Sequence, residues 1–176
     1  MMLVGCVRPM NRALLFLAAV LCGCQLVPPD APQRSLPPIN AKPYLSLEAS
    51  GVQIYRCDLG ADHVAGWQLV RPSAKLTNAQ GVSVLHGAGP SWTAQDGSEV
   101  TAKVIDSAPS PAAGNIAWLQ LVASNDGQAG LLSRATYIER VNTRGGVANP
   151  AACVASQAGQ MLEVPYTATY VFYSSK

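Results

Sequence analysis

The sequence predicts an all-β domain, an antiparallel β-sandwich or a partly closed barrel with at most one short helix. Three observations predict it. Short runs with an apolar period of two recur at fairly even spacing after residue 44, as half-buried strands require. Between them lie residues 78–81, Asp96-Gly97, Asn125-Asp126-Gly127 and Gly145-Gly146, all turn compositions. No amphipathic helices alternate with the runs, so parallel strand–helix–strand units are not expected.

Taken in order, residues 52–57 alternate, and 67–70 form a short run ending at Arg71-Pro72. Residues 82–86 place Val82, Val84 and His86 on one face. Residues 99–105 put Val100, Ala102 and Val104 on one side and Glu99, Thr101 and Lys103 on the other. Residues 116–122 are almost continuously apolar, the pattern of a strand covered on both faces. Residues 136–142 are rich in β-branched side chains, and 166–173, Tyr-Thr-Ala-Thr-Tyr-Val-Phe-Tyr, carry the strongest strand signal in the chain. Residues 151–160 are the one candidate for a short helix, weakened by glycine and small residues.

The chain before this domain reads as an export leader and a tether. Arg8 and Arg12 precede the apolar run Ala-Leu-Leu-Phe-Leu-Ala-Ala-Val-Leu at 13–21. That run is shorter than the ~20 residues of a spanning helix and fits a secretion signal. Met10 begins a complete signal by itself, so either Met1 or Met10 serves as the start. Leu21-Cys22-Gly23-Cys24 resembles the bacterial lipobox, with Cys24 as the lipidated residue; a bulky Leu21 before Cys22 makes that cysteine the poorer fit. The resemblance implies a diacylglyceryl thioether on Cys24, and two or three acyl chains anchor a protein firmly. Gln25 rather than Asp after the cysteine implies, by the same likeness, the outer membrane of a Gram-negative envelope. Six prolines between 28 and 43 argue against helix or sheet and for a semi-extended tether. The expected organisation is a leader at 1–23, a lipidated cysteine and tether at 24–43, and one β-domain at 44–176.

Composition excludes one class of partner. Of twelve Lys and Arg, Arg8 and Arg12 fall in the leader, so the remaining ten balance ten Asp and Glu. A near-neutral domain without a basic stripe has no electrostatic footprint for nucleic acid. The membrane, reached through the lipid, and a glycan, small-molecule or envelope-protein ligand are the expected partners. Five cysteines are present; Cys6 and Cys22 leave with the signal and Cys24 takes the lipid. Cys57 and Cys153 remain, an even pair in an oxidising compartment, and are expected to form a disulfide.

Several motifs carry a family resemblance. They are Gln53-Ile-Tyr-Arg-Cys57, His86-Gly-Ala-Gly-Pro-Ser-Trp92, Asp96-Gly97-Ser98, Trp118-Leu119, Arg140-Val-Asn-Thr-Arg-Gly-Gly146 and Val164-Pro-Tyr-Thr-Ala-Thr-Tyr170. Together, over about residues 50–173, they resemble a family of secreted bacterial and fungal proteins known only as a domain of unknown function. The resemblance implies a single secreted domain and no established activity.

Two functions follow from the candidate residues. The favoured one is a binding or structural module of the cell envelope, with His86, Trp92 and Asp96 near one shallow surface and Arg140 or Asn142 supplying a polar end. Trp92, between a proline turn and an Asp-Gly turn, is the tryptophan expected at a cleft, and Trp118 is expected in the core. The alternative is an envelope hydrolase using His86 with Asp96 and Ser98 or Ser91, which needs a hydroxyl within hydrogen-bond reach of the imidazole. Against it, His86 shares a strand face with Val82 and Val84, which suits an interior or rim histidine, and Gly89-Pro-Ser91-Trp-Thr is no nucleophile elbow. A dinucleotide site is excluded because Gly87-Ala-Gly89-Pro-Ser-Trp92 lacks the third glycine. No metal site and no cofactor is expected: two distant cysteines and two histidines are too few for zinc.

Overall fold

A computed structural model describes residues 40–125 and 127–175. The expected leader, the lipidation site at Cys24 and most of the tether lie outside the described residues. Eight antiparallel strands follow one another around a ring: β1 (Ala41–Leu59), β2 (Ala65–Thr77), β3 (Ser83–Gly87), β4 (Ser91–Ala94), β5 (Glu99–Ala108), β6 (Trp118–Asn125), β7 (Tyr137–Gly145) and β8 (Met161–Ser175). Each pairs with its chain neighbour, and β8 returns to pair with β1. The architecture is therefore the ring-like of the two expected forms, although it is not a regular barrel. In place of a short α-helix, 151–160 holds parts of two single 3₁₀ turns, Pro150–Ala152 and Ala155–Gln157.

The interior is built from one row of side chains per strand, as the period of two dictates. Leu47 and Ala49, Leu76, Val84, Trp92, Val100 and Ala102, Leu121, Ile138, and Ala168 with Phe172 form it. Disulfide Cys57–Cys153 joins the end of β1 to the 3₁₀ segment. The amides of Gly145 and Gly146 are bonded to Asn115 Oδ1 and the Pro165 carbonyl, so this pair forms a bend.

Three strand boundaries differ from the sequence reading. β1 starts at Ala41, inside the proline-rich segment, with Pro43 opposite Tyr173 at the strand's end. β2 does not stop at Arg71-Pro72: Pro72 pairs with Gln53, while pairing with β3 begins only at Ala74. Proline is tolerated there because one side of β2 is an open edge. β4, only four residues between the Pro90 turn and the Asp96-Gly97 turn, was not anticipated as a strand.

One irregularity of the ring opens a gap. The β3–β4 hairpin is too short to span its neighbours. It pairs with β2 over Ala74–Thr77 and with β5 over Glu99–Thr101, leaving residues 65–73 of β2 and 103–108 of β5 without a partner across the gap. The registers of β2 against β1 and β5 against β6 skip Val70 and Ile105. Bulges therefore bend both free edges beside the gap.

Candidate functional site

The gap opens into a cleft of about 300 Å³ that reaches the ring's interior row. Its mouth is formed by residues 69–72 of β2 on one side and Val104 of β5 on the other. Gly89 and Pro90, at the tip of the β3–β4 hairpin, edge it. Gln53, His86, Trp92, Arg140 and Tyr170 line its inner wall. These come from five strands, and each stands in its strand's inward-facing row.

His86 and Trp92 are cross-strand partners. Their rings stack at 4.4 Å between centroids and 5° between planes, and Tyr170 meets both rings edge-on. His86 Nδ1 lies 2.8 Å from the Ser91 carbonyl oxygen. A carbonyl only accepts, so Nδ1 carries the proton and Nε2 presents a lone pair. Burial pushes the His86 pKa down to about 4, and the charge of Arg140 adds to the effect, while the hydrogen bond to Ser91 opposes it. The imidazole is therefore neutral at pH 7.

Arg140 anchors to the Ala117 carbonyl through Nε and Nη2, at 3.1 and 2.9 Å. Its register was left open by the sequence; it stands in the row of Ile138 and faces the cleft. Burial pushes the Tyr170 hydroxyl well above the usual phenol range, partly offset by Arg140. That phenol lies 3.4 Å from Tyr166 Oη. Two polar atoms of the wall are buried without a hydrogen-bond partner: Gln53 Nε2 and Trp92 Nε1. Gln53 is 2% exposed and Trp92 1%. The arrangement can hold a ligand by donated hydrogen bonds and apolar contact.

The structure brings together His86, Trp92 and Arg140 and separates Asp96 and Asn142 from them. Asp96 sits in the β4–β5 turn, at the far end of the four-residue β4. Its carboxylate accepts from Ser98 Oγ at 2.6 Å, from Ser98 N at 3.0 Å and from Leu131 N at 2.7 Å. These donors, the Ser98 hydroxyl first, hold it below the usual carboxylate range. Ser98 Oγ in turn accepts from Leu132 N, so the pair clasps the 130–132 segment over that end of the ring. Asn142 is exposed, has φ +53° at the bulge of β7 against β8, and bonds Thr169 outside the ring.

Two expectations about this surface are thereby corrected. Among the described residues no hydroxyl bonds the His86 ring, and both Asp96 and Ser98 are engaged elsewhere, so the hydrolase arrangement is not assembled there. Nor does Trp92 lie at a shallow surface: His86 covers one face and the ring is buried at the cleft wall. Trp118, expected in the core, is half-buried, and its Nε1 has no partner.

Sequence reasoning missed Gln53, Tyr170 and the β2 lip. Gln53 had a readable signal: a lone amide in a strand whose neighbours on both sides, Val52 and Ile54, are apolar. Tyr170 had none, since tyrosine in a β-rich run is ordinary.

Residues 80–174 match the sequence profile of the family described as protein of unknown function (DUF3455). The chain belongs to that family. His86, Trp92, Val104, Arg140 and Tyr170 of the cleft fall within the DUF3455 match, whereas Gln53 and the β2 lip precede it. Neither the curated proteins nor the solved structures include a match to the chain.

Proposed function

We propose that this DUF3455 protein is a lipid-anchored module of the cell envelope that takes a small ligand into the cleft between β2 and β5. The observation that carries the reading is the Gln53 amide, buried at the cleft wall with no acceptor for Nε2. A buried donor left unsatisfied costs about 1–3 kcal/mol, and a ligand acceptor offsets that cost. The cleft's size is at the lower end for small-molecule sites, and its mostly apolar lining with a few polar groups fits such sites. The lipobox at Cys24 and the disulfide Cys57–Cys153 support export to an oxidising envelope compartment.

The test is thermal unfolding of the protein against a panel of lipids, cell-wall glycans and small organic acids, bases and neutral compounds. A ligand that binds the native state raises the midpoint. Leu119→Trp, which fills the cleft from β6, should abolish any such shift. A shift that persists in Leu119→Trp would place binding elsewhere and sink the reading. The anchor is tested separately: Cys24→Ser should abolish labelling by radioactive palmitate and release the protein from the membrane fraction.

A further inference from the structure

The cleft lining carries charge of one sign. Arg140 stands at the inner wall, Arg71 at the mouth, and no Asp or Glu lines the space. The ion pair found among the described residues joins Arg56 to Asp58, away from both arginines. Arg140 gives two N–H groups to the neutral Ala117 carbonyl. A guanidinium has five, and besides the Ala117 carbonyl it bonds the Tyr170 hydroxyl, so donors remain for a further acceptor. Beside it Gln53 Nε2 has no acceptor. Donors from β1 and β7 therefore converge where the cleft lining supplies no negative charge.

The mouth has the opposite character. Leu69 and Val70 on one lip and Val104 on the other are each about half exposed, at 55%, 48% and 50%. All three line the opening. A ligand complementary to both ends has one anionic group and an apolar body.

We propose that the cleft binds an amphiphilic carboxylate, its charged end against Arg140 and Gln53 and its apolar body between Leu69, Val70 and Val104. This rests on the cleft being a ligand site. The charge balance selects a monoanion. At the inner wall the single half-buried guanidinium of Arg140 compensates a single negative charge; the neutral His86 adds no second cation there, and Arg71 is exposed at the rim, where water screens it. A dianion would leave one charge uncompensated against apolar walls, which is costly.

The experiment is isothermal titration calorimetry of the full chain at pH 7 with three probes of one shape: 4-butylbenzoate, 4-butylbenzamide and 4-butylbenzylamine. The carboxylate should bind about tenfold or more tighter than the amide, the worth of one charge-assisted hydrogen bond. The amine should bind weakest. Arg140→Gln should erase the preference for carboxylate over amide, and Arg140→Lys should keep part of it. Arg71→Gln, at the exposed rim, should mainly slow association.

Equal affinity for the three probes, or an undiminished carboxylate preference in Arg140→Gln, would overturn the inference while leaving the cleft a ligand site. Binding of none of them would overturn it too, and the ligand-site reading would then stand or fall on the panel with Leu119→Trp. Should Arg140→Gln fail to fold, the comparison of the three probes on the unaltered protein and on Arg140→Lys still decides.

Discussion

Acidification should destabilise this protein through His86 before it does so through the carboxylates that the fold holds below their usual range. The folded protein holds the His86 pKa at about 4, against an ordinary 6.5, mainly because the ring is buried. Between those values the unfolded chain binds a proton that the folded chain refuses. Stability is therefore at its full value above about pH 6.5 and is lost as pH falls toward about 4. The gap corresponds to about 3 kcal/mol in all, of which about 1.4 kcal/mol is gone at about pH 5.5. Against a typical total of about 5–15 kcal/mol, such a loss is easily measured. Asp58 and Asp96, both held below the ordinary 3.8 by hydrogen bonds, act only below this window. The comparison is His86→Phe, which keeps a flat ring on Trp92 and removes the titrating group. It also removes the Nδ1–H bond to Ser91, costing about 1 kcal/mol at every pH. Urea unfolding at pH 7, 5.5 and 4 should give a wild-type loss that exceeds the variant's by about 3 kcal/mol at the lowest pH. Equal losses in the two proteins would refute the burial argument, as would an imidazole resonance titrating near 6.5 by NMR.

Three further outcomes follow from the packing. Replacing Cys57 and Cys153 together by serine opens a link between residues 96 apart; it should lower stability by up to about 4–5 kcal/mol, read as a urea midpoint that reductant no longer shifts. A Cβ on Gly51 would fall on the Ser73 carbonyl and Ala74 across the β1–β2 pairing, whereas one on Gly66 meets nothing within 4 Å. Gly51→Ala should thus cost about 3 kcal/mol and Gly66→Ala less than about 0.5 kcal/mol, and similar midpoints for the two would contradict the close approach. Tyr173 donates to Glu139 Oε2 at 2.6 Å, and Glu139 is 3% exposed; Tyr173→Phe should cost about 1–3 kcal/mol, so an unchanged melting temperature would show that this bond adds nothing.

What could be read in advance was whatever depends on local pattern. The alternation of Val100, Ala102 and Val104 against Glu99, Thr101 and Lys103 specified β5 and its inward face. The aromatic run at 166–173 specified most of β8, and the cysteine pair was legible from compartment logic. Pairing length was not legible. Pro72 looks like a terminator because a proline forbids one ladder bond, and only the absence of a β3 neighbour beside it makes it harmless. Ser91–Ala94 is too short for periodicity to register. The same limit hid the site. His86, Trp92 and Arg140 were visible as unusual residues, yet what makes them a cleft is their meeting with Gln53 and Tyr170 across the ring. Asp96, only four residues from Trp92, was placed with them by proximity along the chain and lies at the other end of β4.

The gap and the unpartnered donors occur in the same place, and each alone would be a liability. A closed ring removes free edges, which otherwise invite pairing with other chains; here residues 65–73 and 103–108 stay open. An apolar interior is safest with its polar groups paired; here Gln53 and Trp92 each hold a donor without an acceptor, beside a guanidinium in a cleft whose described lining holds no acid. The bulges at Val70 and Ile105 bend the two edges, which limits sheet extension. They leave unchanged the need for an acceptor at the inner wall. A longer hairpin would have covered the gap, and the same residues would be a flawed core. Because the tip stops at Gly89-Pro90, the cleft opens from outside onto the wall that holds them. A half-buried guanidinium flanked by buried unmet donors, behind an apolar mouth, is the physical description of a binding site for a molecule with one acceptor end and one greasy end.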